Sequence, residues 1–148
     1  MSPWVVLTRA VLMAMLLVPF AQATPPASHT LPRTEWKAIE KVIEQQRSAL
    51  RAGDGTRAIA FATPALRGQF GTPENFLRMV RNGYAALLDA RATRFLEGAV
   101  IEGSVIQPLR LILPDNTVLV AIYQMEKQKD GHWKIAGCVL APSTVQAT

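Results

Sequence analysis

The chain has 148 residues, 49% of them hydrophobic, one cysteine and a formal net charge of +5. That is room for one domain rather than two, with too much apolar content for global disorder. A single cysteine excludes a disulfide-stapled scaffold.

Residues 1–23 read as a secretory signal peptide. Arg9 supplies a positive charge, Ala10 to Phe20 is an unbroken apolar run, and Ala21-Gln22-Ala23 places small residues where a signal peptidase cuts. The run is shorter than the ~20 residues a membrane span needs, and Pro19 breaks its end. An uncleaved anchor would have no use for the small-residue site. The chain is therefore expected to be exported, periplasmic or secreted, after cleavage following Ala23. The mature part holds no further membrane-spanning run. Cys138 lies far from the cut and is no lipid-attachment cysteine.

Thr24 to Arg33 carries three prolines and no periodicity, a disordered lead-in. Residues 34–141 are expected to form one domain. Thr34 is suited to cap a helix, with Glu35 in its first turn. Trp36, Ile39, Val42, Ile43, Ala49 and Leu50 then recur at helical spacing until Gly53-Asp54-Gly55 makes a turn. Thr56 to Phe70 reads as two short helical pieces broken before Pro64. Thr72-Pro73-Glu74 starts a third helical segment, with Phe76, Met79, Val80 and Tyr84 on its buried face and Gly83 as its stop.

The period then changes. Ala92–Ile101, Val105–Leu113, Val118–Lys127 and His132–Ala141 are rich in β-branched and aromatic residues. Pro114-Asp115-Asn116 and Lys129-Asp130-Gly131 are turns. Pro108 cannot donate to a ladder, so it marks an edge or a bulge. Alternation along the last strand puts Trp133, Ile135, Gly137 and Val139 on one face, with Cys138 and Leu140 on the other. Residues 142–148 read as a flexible tail. The expected fold is α+β: three N-terminal helical segments on one face of a curved antiparallel sheet of about four strands.

Between Arg47 and Arg94 stand eight arginines against Asp54, Glu74 and Asp89, a local balance of +5. They are spread rather than clustered, which reads as solvated helix faces. A nucleic-acid partner would need a basic stripe with stacking aromatics and is rejected. The two histidines, His29 and His132, have no ligand cluster around them, so no metal is expected. No Gly-rich phosphate loop, nucleophile elbow or Cys-His pairing points to a cofactor or a nucleophile.

Asp54 and Asp130 sit in turns, where they bond their own backbone. Glu97 and Glu102 fall on solvent-facing strand positions, and Asp89 is the one acid near a pocket rim. Four groups stand out inside apolar stretches: Tyr84, Gln107, Tyr123 and Cys138. They are candidates to orient a small ligand. The competing reading packs both tyrosine rings, spends Gln107 on a strand end beside Pro108 and makes Cys138 a small hydrophobe.

Several segments together resemble a bacterial family known as domain of unknown function 4864. They include Ala49-Leu50-Arg51-Ala52-Gly53-Asp54, Ala62-Thr63-Pro64, Phe76-Leu77-Arg78-Met79-Val80, Gln107, Ala121-Ile122-Tyr123 and Asp130-Gly131-His132-Trp133-Lys134-Ile135-Ala136-Gly137-Cys138. The resemblance covers roughly residues 35 to 141. It implies the cone-shaped fold of nuclear transport factor 2, with a pocket between helices and sheet. It transfers no catalytic residues. The expected function is an exported, non-catalytic domain that binds a small apolar ligand or a protein. The alternative is a lyase or isomerase of the cone type acting on a small apolar substrate. Folds of this kind often pair through the open sheet face, so a homodimer is a further expectation.

Overall fold

The computed structural model describes residues 30–143. The expected signal peptide and its cleavage site, the lead-in up to residue 29 and residues 144–148 lie outside the described residues. Five helices precede five strands: α1 (Arg33–Arg51), α2 (Gly55–Ile59), α3 (Pro64–Phe70), α4 (Pro73–Gly83), α5 (Ala86–Asp89), β1 (Ala92–Phe95), β2 (Ala99–Ile101), β3 (Ser104–Ile112), β4 (Val118–Lys127) and β5 (Trp133–Pro142).

The short helices start where local chemistry provides a cap. The Asp54 carboxylate accepts the Arg57 N–H at 3.0 Å. The Thr63 and Thr72 hydroxyls accept from Leu66 and Asn75, each at 3.2 Å, with Pro64 and Pro73 at the first helical positions. At α1 the expected cap fails. The helix begins at Arg33, and the Pro32 carbonyl takes the Glu35 and Trp36 N–H groups with no side-chain cap. The extended backbone of Pro32 ends the lead-in one step early, so Thr34 is already inside the helix.

The strands form one open antiparallel sheet in the order β1-β3-β4-β5, with β2 also paired to β3. The expected first strand is thus two strands sharing one side of β3. Gly98 causes the break. Its backbone lies against the Trp36 ring of α1, and a Cβ there would sit 2.3 Å from the ring. The chain leaves the sheet to make room for the indole. Pro108 is therefore on an interior strand, not an edge. It is tolerated because it faces the gap between β1 and β2, where its carbonyl accepts from the Leu96 N–H at 3.1 Å and from the Gln107 side-chain amide at 3.0 Å. The β2–β3 turn is a two-residue hairpin with Glu102 and Gly103 both at positive φ (49° and 80°).

A bulge decides the faces of β5. Gln124 pairs with Gly137 but Met125 pairs with Ile135, so Ala136 is an extra residue. The insertion flips the alternation. Trp133, Ile135, Cys138 and Leu140 all pack toward the helices, while Val139 is 56% exposed on the other face. The expected split between Trp133 and Cys138 is wrong for this reason. β5 also runs to Pro142, and the Ser143 N–H bonds the Val118 carbonyl at 3.2 Å, so the expected tail begins later than residue 142.

The main core joins Ile39 and Ile43 of α1 and Leu87 of α5 to Leu109, Leu111, Ala121 and Tyr123 of the sheet. A second cluster joins Ala49 and Leu50 to Ile59, Phe76 and Val80. Each fully buried large side chain contributes roughly 1.5–3 kcal/mol. Trp133 clamps the sheet to α1: its indole N–H donates to the Glu35 carboxylate at 2.6 Å, and Lys127 pairs with the same carboxylate at 3.0 Å.

Candidate functional site

Between α3, α4 and β5 lies a cavity of about 460 Å³. Phe70, Phe76, Met79 and Val80 wall one side; Ile135 to Val139 wall the other; Tyr123 and Leu87 belong to the lining as well. The helical wall is set by local sequence. α4 turns Phe76 and Val80 inward by its three- and four-residue spacing. α3 buries no residue completely and reaches the cavity with Leu66, Gln69 and Phe70. Phe70 and Phe76 pack tilted, with ring centroids 5.2 Å apart. The β5 bulge brings Ala136 and Gly137 to the wall.

The four candidate side chains are brought close together. Gln107, Tyr123 and Cys138 stand in register across β3, β4 and β5. The Tyr84 hydroxyl donates to the Cys138 carbonyl at 3.1 Å. Tyr84, Tyr123 and Cys138 line the cavity. Gln107 does not. Its amide donates to the carbonyls of Leu96 and Pro108, at 2.8 and 3.0 Å, closing the gap between β1 and β2. That is the strand-end role weighed against ligand binding.

Among the described residues no Asp, Glu, His, Lys or Arg lines this cavity. Burial pushes the Cys138 thiol up to about 12, partly opposed by the neighbouring Tyr123 hydroxyl. Burial likewise pushes the Tyr123 phenol well above its ordinary range; the neighbouring Cys138 adds to the rise and Arg47 opposes it. Both groups are protonated and uncharged at neutral pH. The Tyr123 hydroxyl is shut from solvent and has no hydrogen-bond partner of good geometry, although the Cys138 thiol is near enough to affect its ionisation.

The acids weighed from sequence fall elsewhere. Asp54 caps α2, Asp130 accepts the His132 N–H at 2.9 Å, and Asp89, Glu97 and Glu102 are exposed. His132 is exposed beside Asp130. Among the described residues no cluster of three or more His, Cys, Asp or Glu could hold a metal.

Two polar residues escaped the sequence reading. Gln46 is buried, lines the cavity and donates to the Ala58 carbonyl at 3.2 Å. Arg47 is also buried, which corrects its placement on a solvated helix face. Its guanidinium donates to the Leu87 carbonyl at 3.3 Å and the Thr93 hydroxyl at 3.5 Å, and its Nε has no partner. The signal was spacing: Arg47 follows Ile39 and Ile43 by eight and four residues, on the apolar face of α1.

The family model described as "Domain of unknown function (DUF4864)" matches residues 32–148. No curated protein and no solved structure matches the chain. Among the described residues no helix is long and apolar enough to cross a membrane.

Proposed function

For a chain that belongs to the DUF4864 family, a domain described by no activity, we propose that the cavity binds a small, largely apolar molecule without converting it. The single observation that carries this is the wall itself: about 460 Å³ lined by aliphatic and aromatic side chains with few polar groups. That is the usual composition of a small-molecule site. The lyase or isomerase alternative asks for an acid or histidine base beside a tyrosine. Among the described residues the wall offers the tyrosines and no such base. The apolar leader and small-residue cleavage site support an exported protein, periplasmic or secreted. The helices-then-sheet order supports likeness to the cone fold of nuclear transport factor 2.

Native mass spectrometry of the protein purified from a periplasm tests the binding reading. The expected spectrum carries an added small-molecule mass that disappears in Leu66→Trp, which fills the cavity. A bare spectrum, together with failure to bind an apolar fluorescent probe, sinks it.

A homodimer through the sheet face away from the helices is a second reading. Pro108, Ile122 and Val139 form an apolar row across β3, β4 and β5 there, and Val139 is exposed. Sedimentation of the wild type and Val139→Lys distinguishes it: a dimer that the substitution dissociates supports the pairing, and a monomeric wild type at high concentration refutes it.

A further inference from the structure

Past its bulge, β5 is an edge of the sheet. Bonding to β4 alternates along an antiparallel pair, and the bond from the Ser143 N–H to the Val118 carbonyl fixes the phase. Val139 and Ala141 bond β4, while Cys138, Leu140 and Pro142 turn their main-chain groups away from it. The Tyr84 hydroxyl reaches the Cys138 carbonyl from that outer side. Among the described residues nothing takes the Cys138 N–H, the Leu140 N–H or the Leu140 carbonyl. Pro142 has no N–H to offer and ends the open strip.

The chain itself shows that this edge takes a strand. Before the bulge, the Ile135 N–H donates to the Phe61 carbonyl at 2.8 Å, and the Ile135 carbonyl accepts the Thr63 N–H at 2.9 Å, with Ala62 paired parallel to Ile135. Pro64 then turns the chain away into α3. The cavity of about 460 Å³ lies beside the strip where that pairing stops, with Ala136 to Val139 on one wall and Leu66, Phe70 and Phe76 on the other. In a strand added to this edge, a residue opposite Cys138 would share the face of the Cys138 side chain, which packs toward the helices. Its side chain would enter the apolar cavity whether the added strand ran parallel or antiparallel.

We propose that the ligand is a short extended peptide, which adds a strand to the free edge of β5 and places one bulky apolar side chain in the cavity. This rests on the cavity-binding reading above and names the class of molecule. Main-chain bonds to Cys138 and Leu140 set the register, and Phe70, Phe76, Met79 and Val80 select the side chain, the division of labour that strand addition uses generally. A free aliphatic molecule would fill the wall and leave the main-chain groups of the edge unused. A second copy of this chain suits the edge less well. Antiparallel pairing of β5 with β5 about a two-fold axis would bring α3 and Tyr84 of both copies, which flank the edge, to the same side of the joined sheet.

Calorimetry and amide exchange by NMR on the wild-type protein test this, with acetyl-Thr-Val-Phe-Val-Thr-amide as the probe. Its control is the same peptide N-methylated at the three central residues, which keeps the side chains and loses the main-chain donors. The parent peptide is expected to bind at least ~10-fold more tightly than the control, the ratio that ~1.4 kcal/mol gives, and to displace the apolar fluorescent probe. With the peptide bound, exchange of the Leu140 N–H is expected to slow by at least ~10-fold, while Val139 and Ala141, already bonded to β4, slow less. Equal binding of the two peptides, or Leu140 exchange unmoved by the bound peptide, overturns strand addition and leaves the cavity reading standing. So does a peptide that fails to displace a fluorescent probe that itself binds. Leu140 protection that rises with protein concentration and needs no peptide assigns the edge to a second copy and overturns the peptide. Binding of neither peptide nor fluorescent probe overturns both readings.

Discussion

The Tyr84 hydroxyl donates to the backbone carbonyl of Cys138 at 3.1 Å, joining residues 54 positions apart. This bond ties the end of α4 to β5 just past its bulge, on the wall of the cavity. Tyr84→Phe keeps the ring and strands the carbonyl. The expected loss is about 1 kcal/mol in urea unfolding. A midpoint within error of wild type would mean that the bond adds nothing to α4 docking.

Cys138 is expected to be chemically quiet. Its thiol sits at about 12 against an ordinary 9.0, and its side chain packs with the core. A thiol reagent should label it slowly in the native protein and quickly in urea. The pKa is raised in the folded state, so the associated stability is present below pH 9 and falls as pH rises from 9 toward 12, where the unfolded chain has lost the proton and the folded one has kept it. Cys138→Ala should flatten that part of the stability profile. The buried Tyr123 phenol acts in the same direction at still higher pH. Rapid native labelling at pH 8 would contradict the burial that sets the shift.

Trp133→Ala is expected to cost about 3–5 kcal/mol, enough to unfold a marginal domain. The ring is buried in the core, and its N–H holds Glu35. Trp133→Phe should recover most of the loss, since it keeps the apolar ring and gives up only the bond to α1. The Lys127 and Trp133 hydrogen bonds hold the Glu35 carboxyl below the usual carboxylate range. The clamp is therefore present above that range and weakens as pH falls through the lowered value. Urea melts of both variants decide between a core anchor and an exposed ring.

Gly98→Ala is expected to destabilise by about 1–3 kcal/mol through overpacking. The added methyl would lie 2.3 Å from the Trp36 ring. Trp36→Leu should relieve the clash, so the double variant should be more stable than the sum of the two single losses. Simple additivity in a double-mutant cycle would show that the two residues do not meet.

What could be read from the sequence was what neighbours along the chain decide. Thr72 starts α4 as its Thr-Pro-Glu sequence announces, because the N–H group that it satisfies is three residues away. The Gly53 and Gly131 turns follow from positive φ, and the apolar spacing of α1 and α4 gives their buried faces directly. Tyr84, Tyr123 and Cys138 could be singled out as polar groups in apolar runs, and the fold does gather them on one cavity.

Tertiary structure decided the remainder, because partners far along the chain set it. Alternation assigns strand faces only while the period stays at two, and Ala136 breaks it at a bulge that exists only in the pairing with Gln124 and Met125. Gly98 splits the first expected strand because Trp36, 62 residues earlier, needs its space. Gln107 closes that split with hydrogen bonds to the Leu96 and Pro108 carbonyls. Arg47 reads as one more solvated arginine until Leu87 and Thr93 arrive to hold its guanidinium inside. Local sequence thus determined which residues could turn, cap and pack. Which polar groups ended without a partner was settled only when α1, α5 and the sheet closed around them, since an unmet hydrogen bond is a property of the packed surroundings.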